Sequence, residues 1–265
     1  WYTGGGIYRP VNLFVADKRH IDLYGLKITT LSIHPARIRV DVHHTGGEKI
    51  HVAIYDGRQL IAEVSGQAPF EINVPDAKLW SAEMPHLYQA RAELIDQGSV
   101  VDTAEETFGI RTVTVQPEKG LLVNGVPTFL RGGCIHNDNG VIGVINNDVT
   151  ELRRAWNIKR AGFNAIRSAH HPMSRSLMKA CDEVGLYVMD EAFDSWYRPK
   201  VMNPYVKRFM DSYLSDTRLM VQDAYNHPSV IMYSIGNEIP EAGGVKGVRI
   251  GKSIISTLSL IHISE

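Results

Sequence analysis

The sequence predicts a multidomain chain of β plus α/β class, an antiparallel sandwich followed by a parallel sheet with helical crossovers. Three observations carry this. Up to about residue 115, apolar residues recur in short runs with a period of two. Beyond it, near-continuous apolar runs alternate with segments of helical spacing. Polar and ionisable residues gather directly after each of those later runs.

In the first part, Ile38, Val40 and Val42 alternate with Arg39, Asp41 and His43. Ile50, Val52 and Ile54 repeat the pattern, as do Phe70, Ile72 and Val74, then Tyr88, Ala90, Ala92 and Leu94. A period of two with one polar face marks half-buried antiparallel strands. Turn chemistry separates them at Thr45-Gly46-Gly47, Asp56-Gly57, Pro75-Asp76 and Asp96-Gln97-Gly98-Ser99. Strands at this spacing describe a small β-sandwich of the immunoglobulin kind.

The second part opens with Leu121-Leu122-Val123 and an Asn124-Gly125 hairpin signal. A first parallel strand is expected over 130–135. Asp148 or Thr150 would cap a helix carrying Val149, Leu152, Trp156 and Ile158 on its apolar face. Asn164-Ala165-Ile166-Arg167 forms a short second strand. Ser174 opens a helix with Leu177, Cys181 and Val184, which Gly185 closes. Leu186-Tyr187-Val188-Met189 is the third strand. A long helix from about Pro204 carries Tyr205, Phe209, Tyr213, Met220 and Ala224, and Val230-Ile231-Met232-Tyr233-Ser234-Ile235 is the fourth strand. Continuous apolar strands separated by helices imply a parallel sheet covered on its outer face, with at most four strand–helix units.

Composition narrows the function. The 265 residues hold 28 Lys+Arg against 29 Asp+Glu, with 44% hydrophobic residues, an ordinary globular balance without a basic run for nucleic acid. No stretch approaches the roughly 18 apolar residues of a membrane span. Cys134 and Cys181 read as free, buried thiols, which favours a cytoplasmic setting without fixing the compartment. The chain begins at Trp1, so the natural N-terminus, with any signal peptide, is expected to be missing.

The chemistry collects at strand ends. His136 and Asp138 follow the first strand; Arg167, His170 and His171-Pro172 the second; Asp190, Glu191 and Trp196 the third; Asn237 and Glu238 the fourth. That edge is where parallel α/β folds, (β/α)8 barrels above all, build their sites. Plainer readings stand beside each residue. His136 could be a satisfied strand-end histidine, Arg167 a partner for Asp190 or Glu191, and His171-Pro172 a turn. Cys134 and Met189 read as core. Trp196 could pack on the sheet or stack on a sugar ring. Glu238, placed after an apolar run, is costly to bury unless it serves something.

A metal hydrolase built on His136, His170, Asp190 and Glu191 lacks the paired-histidine spacing such sites use. A phosphate loop at Gly4-Gly5-Gly6 fails, because no Lys-Ser/Thr follows and Arg9-Pro10 leads into an expected strand, Val11-Asn12-Leu13-Phe14-Val15.

Assembled in order, the motifs resemble glycoside hydrolase family 2, the β-galactosidase, β-glucuronidase and β-mannosidase family. Trp1-Tyr2-Thr3-Gly4-Gly5-Gly6-Ile7-Tyr8-Arg9-Pro10-Val11 resembles the close of its jelly-roll sugar-binding-like domain. Leu79-Trp80, Pro85, Leu87-Tyr88 and Phe108-Gly109-Ile110-Arg111 resemble its immunoglobulin-like domain. Asn124-Gly125-Val126-Pro127, Arg131-Gly132-Gly133 and His136-Asn137-Asp138 are similar to the opening of its barrel, and the runs 164–172 and 190–196 to the second and third barrel strands. The most specific match is Asn226-His227-Pro228-Ser229-Val230 followed by Ser234-Ile235-Gly236-Asn237-Glu238. The resemblance implies a jelly-roll remnant over 1–20, an immunoglobulin-like sandwich over 21–114 and the first half of a TIM (β/α)8 barrel over 115–265.

It further implies a retaining exo-β-glycosidase, most like the β-galactosidase branch, with Glu238 as general acid/base and Asn237 on the sugar 2-hydroxyl. His136, Asp138, Arg167, His170, Asp190, Glu191 and Trp196 would bind the sugar. A dry pocket is expected around Glu238, since burial keeps an acid catalyst protonated. β-Glucuronidase, β-mannosidase and a non-catalytic carbohydrate-binding protein are the alternatives. The family's nucleophile is a Glu on the seventh barrel strand, and 27 residues follow Glu238, so this chain is expected to be an inactive fragment with an exposed apolar barrel edge. Glu191 and Asp138 are the substitutes to weigh. Ser195-Trp196-Tyr197 does not match the magnesium-binding variant, and no metal or other cofactor is implied. A carbohydrate is the implied partner, without nucleic acid or membrane, and the parent enzyme could be homo-oligomeric. The tail from about Ser253 to Glu265 reads as foreign to the charged helix expected there.

Overall fold

A computed structural model describes residues 6–200 and 206–262. Trp1 to Gly5, Pro204, Tyr205 and the last three tail residues, which figure in the expectations above, lie outside it. The chain divides into two compact units, one of residues 11–129 with 226–228, the other of residues 130–225 and 229–262 with residues 6–10.

The first unit is antiparallel. Strands β1 (His20–Ile33), β2 (Ala36–Thr45) and β5 (Phe70–Asn73) form one sheet in the order β1-β2-β5. Strands β3 (Lys49–Asp56), β4 (Gln59–Gly66), β6 (Tyr88–Asp96) and β7 (Ser99–Phe108) form a second, ordered β4-β3-β6-β7. The alternation has the expected outcome: Ile38, Val40, Ile50, Val52, Ile54, Ala90, Ala92 and Leu94 are wholly buried in one cluster. Each Val, Ile or Leu among them contributes about 1.5–3 kcal/mol on burial. Tyr88 also accepts a hydrogen bond at its hydroxyl from the Lys78 amide, 2.8 Å away, pinning the turn before β6 as a tyrosine corner does. A third sheet follows, β8 (Val113–Gln116), β9 (Gly120–Val123) and β10 (Val126–Pro127), with the β9–β10 turn at Asn124-Gly125. Asn226 completes the unit: its carboxamide donates to the Leu26 carbonyl and accepts from the Ile28 amide, as a neighbouring strand would.

The expected strand over 11–15 does not form. A strand needs a paired neighbour, and none of the described strands lies along this segment, whose Val11, Leu13, Phe14 and Val15 are exposed.

The second unit is a parallel sheet of β11 (Gly132–Ile135), β12 (Ala165–Ser168), β13 (Tyr187–Glu191) and β14 (Val230–Ser234), in chain order. Helices α1 (Asp148–Arg160), α2 (Arg175–Val184) and α3 (Val206–Ala224) are the crossovers, and α4 (Val245–His262) follows β14. Ser174 caps α2 by accepting from the Leu177 amide, and Gly185 ends it in the left-handed region at φ 81°, where glycine carries no Cβ penalty. Helix α1 differs from expectation. Its cap is Asn147, in a reciprocal box with Thr150. Its buried side chains are Glu151 and Ala155, while Val149 and Trp156 are exposed; the helix is turned so that Glu151 meets the carboxamides of Asn139 and Asn146. One core lies between sheet and helices around Ile166, Val188, Leu177 and Cys181. Another, around Phe193, Trp196, Phe209, Val221 and Ile254, lies beyond the strand ends. From Ser253 onward the tail continues α4, placing Ile254 and Thr257 in buried positions.

Alternation sets which strand residues face which way. Ile166, Ser168, Val188 and Asp190 turn to the helices, while Cys134, Arg167 and Met189 line the opposite, concave face with Leu130 and Met232, around a hollow of about 260 Å³. Cys134 is therefore exposed, contrary to expectation, and Cys181 is buried.

Candidate active site

The C-terminal strand ends converge on one carboxylate. Glu191, at the end of β13, is 0% exposed. Its Oε2 accepts from Arg167 Nη2 at 2.7 Å, Arg167 Nε at 3.0 Å and Ser234 Oγ at 2.7 Å, and its Oε1 pairs with His170 Nδ1 at 2.5 Å. Three strands thus contribute: Arg167 from β12, Glu191 from β13 and Ser234 from β14. A carboxylate this deep is sustained only by such charge-assisted partners.

Arg167 links this group to the fourth strand end. Its Nη2 donates to Asn237 Oδ1 at 3.1 Å, and the Asn237 carboxamide donates onward to Asp194 Oδ1 at 3.0 Å. Lys200 donates to the Asn237 carbonyl and lies 3.4 Å from Asp194 Oδ1. Asn237, 9% exposed, is fixed on both faces of its amide.

Beside it, Glu238 stands open. It is exposed, its carboxylate carries no hydrogen bond or ion pair among the described residues, and its backbone sits at φ 45°. Among the described residues no packed side chains enclose Glu238, so they do not form the expected dry pocket. His136 meets His170 edge-to-face, with ring centroids 5.6 Å apart, and Arg154 donates to the His136 carbonyl. Asp138 is half-buried on the same loop as His136.

Two expected sugar-binding residues face elsewhere. Asp190 is 1% exposed and turns to the helix layer, where its Oδ1 accepts from Ser168 Oγ at 2.9 Å and the Met173 amide at 2.7 Å. Burial raises its pKa to about 6 against those two bonds. Period two on β13 forbids Asp190 and Glu191 from sharing a face, a signal present in the sequence. Trp196 is 2% exposed and stacks on Phe209 at 6.0 Å, its Nε1 donating to the Ile235 carbonyl at 3.0 Å. It is core, with no ring face left for a sugar. Asp194, Lys200 and Ser234 join the network without having been singled out; Ser234, closing an apolar strand, was the one with a visible cue. Glu241, 3% exposed, is a further addition: its Oε1 accepts from the Tyr197 and Arg198 amides and ties down the loop after β13.

No group of three or more His, Cys, Asp or Glu side chains arranged to hold a metal ion occurs among the described residues. No described helix is long and apolar enough to cross a membrane.

Residues 113–252 match the TIM barrel domain of Glycosyl hydrolases family 2, and residues 22–111 match a second domain of Glycosyl hydrolases family 2. A beta-galactosidase of Bacteroides ovatus is 31% identical over 260 residues, covering 91% of this chain and 31% of its own. A crystal structure of a family 2 member from Bacteroides cellulosilyticus superposes with a TM-score of 0.92 at 33% identity, over 98% of this chain and 36% of that one. A β-glucuronidase from Ruminococcus gnavus, solved with an N1-substituted uronic isofagomine, gives a TM-score of 0.80 at 26% identity, over 93% of this chain and 42% of that one. The chain spans about a sixth to a third of the length of the curated relatives it matches. A sandwich followed by the start of a TIM barrel is the architecture these matches share with the two units described above.

Proposed function

Because the chain belongs to glycosyl hydrolases family 2, we propose that it carries the acid/base side of a retaining exo-β-glycosidase site, with Glu238 as general acid/base and terminal β-galactosides as substrates. The observation that carries this reading is an accessible carboxylate, without a partner among the described residues, just beyond the end of β14 and next to an Asn237 carboxamide held by Arg167 and Asp194.

The chemistry follows from two carboxylates. Glu238 protonates the glycosidic oxygen as the bond to C1 breaks, while a second carboxylate attacks C1 from the opposite face and forms a glycosyl ester. Glu238, now ionised, takes a proton from the water that displaces that ester. Glu191 is a poor candidate for the second role, since both its oxygens are bonded to cationic side chains or to Ser234. We assign the nucleophile to the seventh-strand Glu that the family pattern implies, outside these 265 residues, and the chain by itself is expected to turn over no glycoside.

Charge supports a neutral sugar. Arg167 and Lys200, the cations bonded into the network, are already matched by Glu191 and Asp194. Asp138 remains, and its carboxylate would repel a uronate. The likeness to a β-glucuronidase keeps glucuronides as the second reading. A panel of nitrophenyl β-glycosides on the complete protein carrying this chain decides. Fastest turnover is expected for the galactoside; fastest turnover of the glucuronide overturns the substrate assignment, and turnover of none overturns the function.

A further inference from the structure

We propose that Arg9 is a positioning residue of this site: its guanidinium holds the loops after β11 and β12 against each other and so sets the His136–His170 pair. The proposal rests on the glycosidase reading for its purpose, but its geometry stands apart from it.

Arg9 Nη2 donates to Asn137 Oδ1 at 3.2 Å and to the Pro172 carbonyl at 2.9 Å, and lies 3.3 Å from His171 Nδ1. Asn137 adjoins His136, and His171 adjoins His170. One planar cation thus bonds the immediate neighbours of two imidazoles that themselves meet at 5.6 Å. The same segment reaches the far end of the first loop, where the Tyr8 carbonyl accepts from the Asn146 amide at 3.0 Å. Between those anchors, Glu151 Oε1 accepts from the carboxamides of Asn139 and Asn146 at 2.7 and 2.9 Å. The 136–147 loop is fixed along its length, with Arg9 as its tie to the second strand end.

The tie is polar. Ile7 is 84% exposed and Pro10 is exposed, so apolar burial does not seat this segment, and the hydrogen bonds of Tyr8 and Arg9 do. His171 Nδ1 also lies 3.0 Å from the Pro172 carbonyl, so the imidazole and the Arg9 guanidinium converge on one acceptor. Burial, opposed by the bond to the Pro172 carbonyl and aided by the nearby Arg9 charge, lowers the pKa of His171. His170 is in turn the partner of Glu191 Oε1, so a shift at Arg9 passes through His170 to the group that Arg167 and Ser234 share. Arg9 is assigned no contact with the sugar.

Arg9→Ala and Arg9→Lys in the complete protein test this through the imidazole proton resonances of His136 and His170 and through kcat and KM on the preferred nitrophenyl glycoside. Arg9→Ala is expected to move both resonances and to lower kcat/KM by roughly 10- to 100-fold, the cost of misplacing a site by about 1 Å. Arg9→Lys, which keeps charge and donor, recovers most of the loss. Unmoved resonances in folded Arg9→Ala overturn the proposal whatever the kinetics. Asn137→Ala, which removes a single acceptor, gives the same resonance readout should Arg9→Ala fail to fold. If the unaltered protein hydrolyses no β-glycoside, the glycosidase reading falls, and the resonances still decide the role of Arg9.

Discussion

Glu191 ends β13 and Glu238 lies just beyond the end of the neighbouring parallel strand β14, yet the fold treats them in opposite ways. Glu191 is sealed, with two guanidinium nitrogens, an imidazole and a hydroxyl on its two oxygens. Glu238 is open, without a partner among the described residues, and held in the left-handed region at φ 45°, which costs a non-glycine residue on the order of 1–3 kcal/mol. A carboxylate whose oxygens are all engaged shapes a pocket; one whose acceptors are unused can meet a substrate. Strand-end position alone does not separate the two roles, and burial does.

That contrast can be broken most forcefully by exchanging the cost of losing each group. Glu191→Ala strands Arg167 and His170 beside an empty site, and should lower unfolding free energy by about 3–5 kcal/mol, as removal of one partner from a buried pair does. Glu238→Gln should stay within about 0.5 kcal/mol in the same denaturant titration. Similar losses for both would dissolve the distinction. Trp196→Ala should cost about 3–5 kcal/mol as a core cavity, and a small stability loss with a large rise in KM would restore it as a sugar platform.

Asp190 sharpens the comparison through pH. Its folded pKa of about 6 lies above the ordinary carboxylate value. Between those values the folded state binds more protons, so this contribution to stability is complete below about pH 4 and is lost as pH rises through about 6, some 2–3 kcal/mol in all. Asp190→Asn should remove that difference in slope when melting temperatures of the two proteins are compared from pH 4 to 7; parallel curves would contradict it. A smaller effect is expected at Glu238→Gly, which relieves the positive φ and should gain up to about 1 kcal/mol in unfolding free energy by denaturant titration.

Much of this was legible in the sequence because strand periodicity and turn residues are local. The runs from Ile38, Ile50, Phe70 and Tyr88 needed only their own alternation to be placed, and so did Ser174 and Gly185 around α2. The gathering of Arg167, His170, Glu191 and Asn237 was legible at the level of strand ends. What escaped depends on contacts distant in sequence. Trp196 is core because Phe209 stacks on it. The face of α1 is set by Asn139 and Asn146 calling on Glu151. Lys200 and Asp194 matter only through Asn237, and Arg9 only through loops more than 120 residues away. Cys134 is exposed because a parallel sheet has two faces, and its own faces away from the helices.

The central claim is that Glu238 delivers a proton to the glycosidic oxygen. It is tested most directly by comparing kcat/KM of Glu238→Gln with that of the unaltered complete protein over aryl β-galactosides of graded leaving-group basicity. A loss of about 10²–10⁴-fold is expected for the most basic leaving groups, shrinking to little for activated nitrophenolates that depart without a proton. An equal loss across the whole series would contradict it.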